Sequence, residues 1–128
     1  MKTREFKFRI WWNNQMRYNA MVGNGQAMFI PGATGEHKQI NLAECVAMQF
    51  TGLKDKNGKE IYEGDVVRTK LGNICLIKWD KCNEVKHGDY YQYTGFCFHN
   101  IRQKLNFHFD DTECEIIGNI HQNPELLS

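Results

Sequence analysis

With 128 residues, 41% of them hydrophobic and 12% aromatic, the chain has room for one domain or two small β units, and enough apolar side chains to exclude wholesale disorder. A formal net charge of +1 supplies no general pull towards nucleic acid or a membrane surface. The only serine is Ser128, which leaves no serine placed as a nucleophile.

Residues 4–12, REFKFRIWW, alternate with period two, putting Phe6, Phe8, Ile10 and Trp12 on a core face and Lys7, Arg9 and Trp11 on the other. Asn13-Asn14 is a turn, and QMRYNAMV continues the alternation through Met16, Tyr18, Ala20 and Val22, which predicts a hairpin with one buried face. Gly23-Asn24-Gly25 ends it, QAMFI is a short strand, and PGATGEH (31–37) is the clearest loop. Over 38–50, Asn41 with Glu44 three residues on suggests a capping box opening one helical turn, and Val46, Met48 and Phe50 then alternate as a strand.

Thr51–Val67, TGLKDKNGKEIYEGDVV, concentrates turn chemistry. Asn57-Gly58 suits a type I′ turn, whose two central residues need positive φ, and Gly64-Asp65 turns the chain into a further strand. Beyond it, GNICLIKWD (72–80), YYQYTGFCFHN (90–100), IRQKLNFHF (101–109) and CEIIGNIH (114–121) are each strand-like, with loops expected at 81–89 and 110–113. In IRQKLNFHF the expected core face is Ile101, Gln103, Leu105, Phe107 and Phe109. Asn123-Pro124-Glu125-Leu126-Leu127 forms one helical turn with Pro as its first residue. About eight short strands with frequent turns predict an all-β fold with little helix, either a sandwich or a small barrel.

Charge is unevenly spread. Residues 1–22 set Lys2, Arg4, Lys7, Arg9 and Arg17 against Glu5, while residues 105–128 hold Asp110, Asp111, Glu113, Glu115 and Glu125 with no Lys or Arg. A basic head and an acidic tail attract each other within one chain or between copies. No apolar run reaches the roughly 20 residues of a membrane span, and no hydrophobic signal segment follows Met1, so the cytoplasm is the expected location and no membrane contact is expected. The cysteines, Cys45, Cys75, Cys82, Cys97 and Cys114, are odd in number and lack CxxC spacing, which predicts reduced thiols, several of them buried.

KFRIWW at 7–12, TGLKDKNGKEIYEGDVVR at 51–68 and EIIGNIHQNPELL at 115–127 together resemble the YopX-like family of phage and prophage proteins. With GNICLIKWD added, the likeness covers most of 4–12 and 51–127, whereas 13–50 and 81–100 match poorly. The resemblance implies an N-terminal β-hairpin region at 1–50 followed by an SH3-like β-barrel region at 51–128. It also implies a phage or prophage gene whose product acts in a bacterial host cell. It carries over no catalytic residue; Asn57, Gly58, Gly64 and Asp65 transfer as structural turns only.

Cys97, His99 and His108 would converge if 90–100 and 101–109 paired, with Cys114 or His121 as a fourth ligand, but the spacing follows no zinc pattern and no metal is expected. Glu63 and Asp65 flank Gly64 as an acid–base pair would, although a turn-stabilising Asp65 is the simpler role. Asp110, Asp111 and Glu113 crowd another turn without the ligand pattern of a calcium loop. No cysteine is singled out by a neighbouring base, and GNGQAMFIPGATG lacks the Lys-Ser/Thr of a phosphate loop. No catalytic residue, no cofactor and no enzymatic activity are therefore expected.

Binding is the remaining class. Outward Lys7, Arg9 and Trp11, with Arg17 across the hairpin, would set positive charge beside an aromatic face, a combination that grips phosphates and stacks bases. The near-zero net charge and the acidic tail weigh against nucleic acid. Open sheet edges and the opposed head and tail favour an unidentified protein partner or self-association into a homo-oligomer. The sequence thus predicts a small binding or interaction protein, with a nucleic-acid accessory role as the alternative and a metal-dependent enzyme as the last.

Overall fold

Period-two alternation and tight turns dictate most of what forms. The computed structural model describes residues 6–29, 37–108 and 113–127, and there the chain folds as eleven strands and two short 3-10 helices, Leu42–Glu44 and Pro124–Leu127. It divides into two compact units, Met1–Gly52 and Leu53–Ser128.

In the first unit, β1 (Phe8–Trp12), β2 (Gln15–Gly23), β3 (Gln26–Phe29), β4 (Lys38–Asn41) and β5 (Val46–Lys54) lie in the order β4-β3-β2-β1-β5, neighbours antiparallel. Two-residue turns join β1 to β2 at Asn13-Asn14 (φ 52° and 58°) and β2 to β3 at Asn24-Gly25 (φ 51° and 74°). Asn and Gly tolerate the left-handed backbone that makes such turns match strand twist. Ile10, Ala20, Ala27, Phe29 and Ile40 form the core, with Trp12, Val22, Leu42 and Cys45 packed on it.

The pairing changes phase inside β2. Trp12 faces Gln15, Trp11 faces Met16 and Ile10 faces Arg17, but Phe8 faces Ala20. An irregularity centred on Asn19 (φ 59°) inserts one residue, so Ala20 and Val22 join the core while Met16 lies on the Trp11 face. The uninterrupted alternation expected through Met16 and Tyr18 is corrected accordingly. Tyr18 and Phe6 are exposed. Asn41 makes no side-chain capping bond to the Leu42–Glu44 helix, so the expected capping box is absent.

β5 continues past Gly52 into the second unit and returns as β6 (Glu60–Tyr62). Asp55 N–H donates to Lys59 O at 2.8 Å, Gly58 N–H donates to Asp55 O at 3.0 Å, and Gly58 is left-handed at φ 83° while Asn57 is not. This is a three-residue loop ending in a glycine bulge, in place of the two-residue turn expected at Asn57-Gly58. Asp55 decides the matter: its buried carboxylate accepts N–H bonds from Asn57 and Lys59 at 2.9 Å each, and from Ile116 at 3.0 Å. Gly64 (φ 87°) makes the next turn, where the buried Asp65 carboxylate accepts the Tyr62 N–H at 2.8 Å.

β7 (Asp65–Arg68), β8 (Ile74–Lys86), β9 (Asp89–Asn100), β10 (Leu105–His108) and β11 (Glu115–Asn119) form a sheet in the order β10-β9-β8-β7-β11. β10 runs antiparallel to β9 and also pairs in parallel with β8, Phe107 opposite Asn83. Ile61, Val67, Cys75, Ile77, Phe98 and Cys114 make the core. Residues 81–89, expected as a loop, are instead the far end of one long β8–β9 hairpin that turns at His87-Gly88 (φ 54° and 81°). IRQKLNFHF is likewise not one strand. Asn100 Oδ1 accepts the Arg102 and Gln103 N–H groups at 3.0 Å, bending Ile101–Lys104 into a turn and leaving Leu105 and Phe107 exposed. Phe109, residues 31–36 of PGATGEH, and Asp110 and Asp111 lie outside the described residues.

Candidate interaction surface

The N-terminal candidates do not assemble as one outward face. Arg9 is only 2% exposed, opposite the buried Met48 of β5; its guanidinium lies 5.9 Å from the Tyr18 ring and Nη1 donates to Tyr18 Oη at 3.5 Å. Lys7 is half-buried with Nζ 5.3 Å from the Phe50 ring, and Trp11 is half-buried opposite Met16. Arg17 pairs with Ile10, not with Arg9 or Trp11, and therefore belongs to the opposite face, 5.4 Å from the Phe29 ring and bonded to Gln15 Oε1. The reason is parity: a two-residue turn opposes residues of unlike parity, so Arg17 cannot join Trp11. Lys38 lies 5.6 Å from the Trp12 ring. Each cation among the unit's described residues thus rests on an aromatic ring of the same unit, within the reach of a cation–π contact.

The second unit presents a different surface. Opposed residues of paired strands share a face. Trp79 opposes Phe96, Lys81 opposes Thr94, Asn83 opposes Gln92 and Val85 opposes Tyr90, while Phe107 opposes both Phe98 and Asn83. At one end this face carries the core residues Cys75, Ile77 and Phe98, while beyond and beside them Trp79, Val85, Tyr90, Leu105 and Phe107 are each between 41% and 73% exposed. Trp79 stands edge-on to Phe96, ring centroids 4.8 Å apart at 82°. Lys81 is the single charged side chain that the register of these three strands places there.

The opposite face of the same strands closes over a polar group. Tyr93 Oη bonds to His108 Nδ1, the rings meeting edge to face at 5.4 Å, and His108 Nε2 lies 3.8 Å from Glu84 Oε1. Cys82 and Cys97 are fully buried beside them, and Cys82 Sγ lies 3.4–3.5 Å from the carbonyl oxygens of Asp80, Gly95 and Phe96. Burial, reinforced by Cys82, pushes the Cys97 thiol up to about 12. Burial does the same to the Tyr93 hydroxyl, with Cys82 and Glu84 adding to it. Thiols so raised stay protonated at neutral pH and are poor nucleophiles.

His108 does oppose Cys97, and His99 is two residues along the same strand, but His99 Nδ1 bonds to Asn106 Oδ1 at 2.7 Å and Cys114 sits in the core of the other face. His121 is half-buried in the turn after β11. Among the described residues no group of three or more His, Cys, Asp or Glu gathers as metal ligands. Asp65 is tied to the Tyr62 N–H of its own turn. The exposed part of the Trp79–Phe107 face was hidden in the sequence because 81–89 reads as a loop and Phe107 as core; the available signals were the His87-Gly88 pair and the alternation Trp79, Lys81, Asn83, Val85.

Fold and surface together define a small all-β protein of two sheets, with no helix long and apolar enough to cross a membrane among the described residues. The chain belongs to the YopX protein family, whose model matches residues 7–128. It is also similar to protein EF1440 from Enterococcus faecalis, known from a crystal structure, with a TM-score of 0.59 and 25% identity over 98% of this chain and 100% of that one. No curated protein matches it.

Proposed function

We propose that the protein is a non-catalytic binding module of phage or prophage origin, working in the bacterial cytoplasm, and that it self-associates through the exposed part of the Trp79–Phe107 face of β8, β9 and β10. The observation that carries this is the exposure of Trp79, Val85, Tyr90, Leu105 and Phe107 on one face that holds a single charge, Lys81. Exposed apolar and aromatic side chains gathered on one face cost solvation free energy until another surface covers them. A second copy fits: two identical faces meet about a two-fold axis without opposing carboxylates, and Lys81 needs only a place at the rim. The likeness of the 7–12, 51–68 and 115–127 blocks to phage and prophage sequences supports the origin. Pairing of β10 with both β9 and β8 supports reading the second unit as a small SH3-like barrel.

A nucleic-acid role for Lys7, Arg9, Trp11 and Arg17 draws less support, because these cations rest on rings, Arg9 is buried and Arg17 lies on the other face. Two differently tagged copies, co-expressed and purified through one tag with and without nuclease, separate the readings. Retention of the second copy in both arms, lost when Trp79→Ser and Phe107→Ser are combined, supports the self-association reading. Retention that nuclease abolishes, or that the double substitution leaves intact, contradicts it.

A further inference from the structure

A cleft in the second unit lies apart from the Trp79–Phe107 face. It opens between the Ile101–Lys104 turn and the Pro124–Leu127 helix with a volume of about 580 Å³, and a recess of about 320 Å³ adjoins it, sharing Ile101, Lys104 and Leu127. Concave sites of roughly 300–1,000 Å³ are the usual size for small molecules.

Both walls are held in place before any ligand arrives. Asn100 is buried and closes the first turn through the Arg102 and Gln103 N–H groups, and Lys104 N–H donates to Asn100 O at 2.7 Å. On the other side, Asn119 Oδ1 accepts the His121 and Gln122 N–H groups at 3.1 and 2.9 Å, and Asn123 Oδ1 accepts the Asn119 N–H at 3.2 Å. Leu126 N–H then donates to Asn123 O at 3.1 Å, fixing the C-terminal helix.

The lining has two chemistries. Ile74, Leu76, Ile101, Leu126 and Leu127 make it apolar. Its ionisable side chains are Arg102, Lys104 and His99, and no carboxylate side chain lines either part among the described residues. Lys104 holds a left-handed backbone (φ 56°) that a lysine adopts only at a cost, and strain of this sort collects where a side chain must be aimed.

We propose that this cleft binds a small amphipathic anion, with Arg102 and Lys104 holding a carboxylate or phosphate head and Ile101, Leu126 and Leu127 covering a short apolar chain. Charge-assisted hydrogen bonds give the head its affinity, and exclusion of water from the chain adds to it.

The test is a titration of isotope-labelled full-length protein by amide NMR with decanoate and with hexyl phosphate, the two arms distinguishing a carboxylate from a phosphate head; decylammonium and inorganic phosphate serve as comparisons. At least one anionic amphiphile is expected to give saturable shifts at Gly72, Ile101, Lys104 and Leu127, with decylammonium much weaker. Lys104→Gly, which suits the left-handed backbone and so keeps the turn, is expected to weaken binding about tenfold, and Arg102→Gln to do likewise. The proposal is overturned by equal shifts from decylammonium, by no saturable shift from either anion, or by affinity that both substitutions leave unchanged. Each outcome leaves the self-association reading where it stood, because the Trp79–Phe107 variants are not involved.

Discussion

Asp55 shows how one side chain can decide a turn. Its carboxylate accepts three backbone N–H groups, two in its own loop and one from Ile116 sixty-one positions on, and so clips the β5–β6 loop to β11. Burial alone would raise its pKa, but the Ile116, Lys59 and Asn57 N–H groups, with the Lys59 charge, outweigh burial and lower it. A carboxylate held below its unfolded value of about 3.9 stabilises the fold fully above that pH. That stabilisation is lost as pH falls through the folded value. Asp55→Ala is therefore expected to cost about 2–3 kcal/mol near neutral pH, with the gap from the natural protein narrowing in urea melts as the pH falls below the unfolded value of about 3.9. A gap that does not change with pH would count against this account of Asp55. The thiols make a second prediction at this scale. Burial pushes Cys75 up to about 11 and Cys97 up to about 12, and Cys82 and Cys114 are fully buried, whereas Cys45 is half-buried. Alkylation of the folded protein near pH 8, read by mass spectrometry, is expected to label Cys45 first and the other four only after unfolding.

At the scale of elements, the C-terminal helix depends on a residue with no side chain. A Cβ at Gly118 would lie 2.6 Å from Asn123 Oδ1 and 2.8 Å from Leu126 Cδ1, far inside contact distance. Gly118→Ala is expected to push the Pro124–Leu127 helix off β11 and to cost about 1–3 kcal/mol in thermal or urea unfolding, with amide shifts concentrated at 119–127. Turns made by Asn and Gly at 13–14 and 24–25 were legible in the sequence, since few other residues accept both positive φ values. The form of the 56–58 loop was not, because Asp55 reaches a strand far along the chain. Nor was the bulge at Asn19, which moves Met16 and Arg17 between faces without leaving a gap in the apolar pattern. Ile101–Lys104 escaped for a similar reason. Its residues alternate like a strand, but the Asn100 side chain binds their N–H groups first.

For the whole molecule, the all-β class and the family were legible, but the face proposed for self-association was not. Positive charge beside aromatic rings looked available for a ligand in Lys7, Arg9, Trp11 and Arg17; in the fold those charges are taken up by Phe50, Tyr18 and Phe29. What remains exposed is the part of the β8–β9–β10 face that carries Trp79, Val85, Tyr90, Leu105 and Phe107. Sedimentation velocity over a range of protein concentrations tests this most directly. The natural chain is expected to form a concentration-dependent or stable oligomer, and Trp79→Ser with Phe107→Ser a folded monomer. A natural chain that stays monomeric at every concentration, or an oligomer that the double substitution does not dissociate, would contradict it.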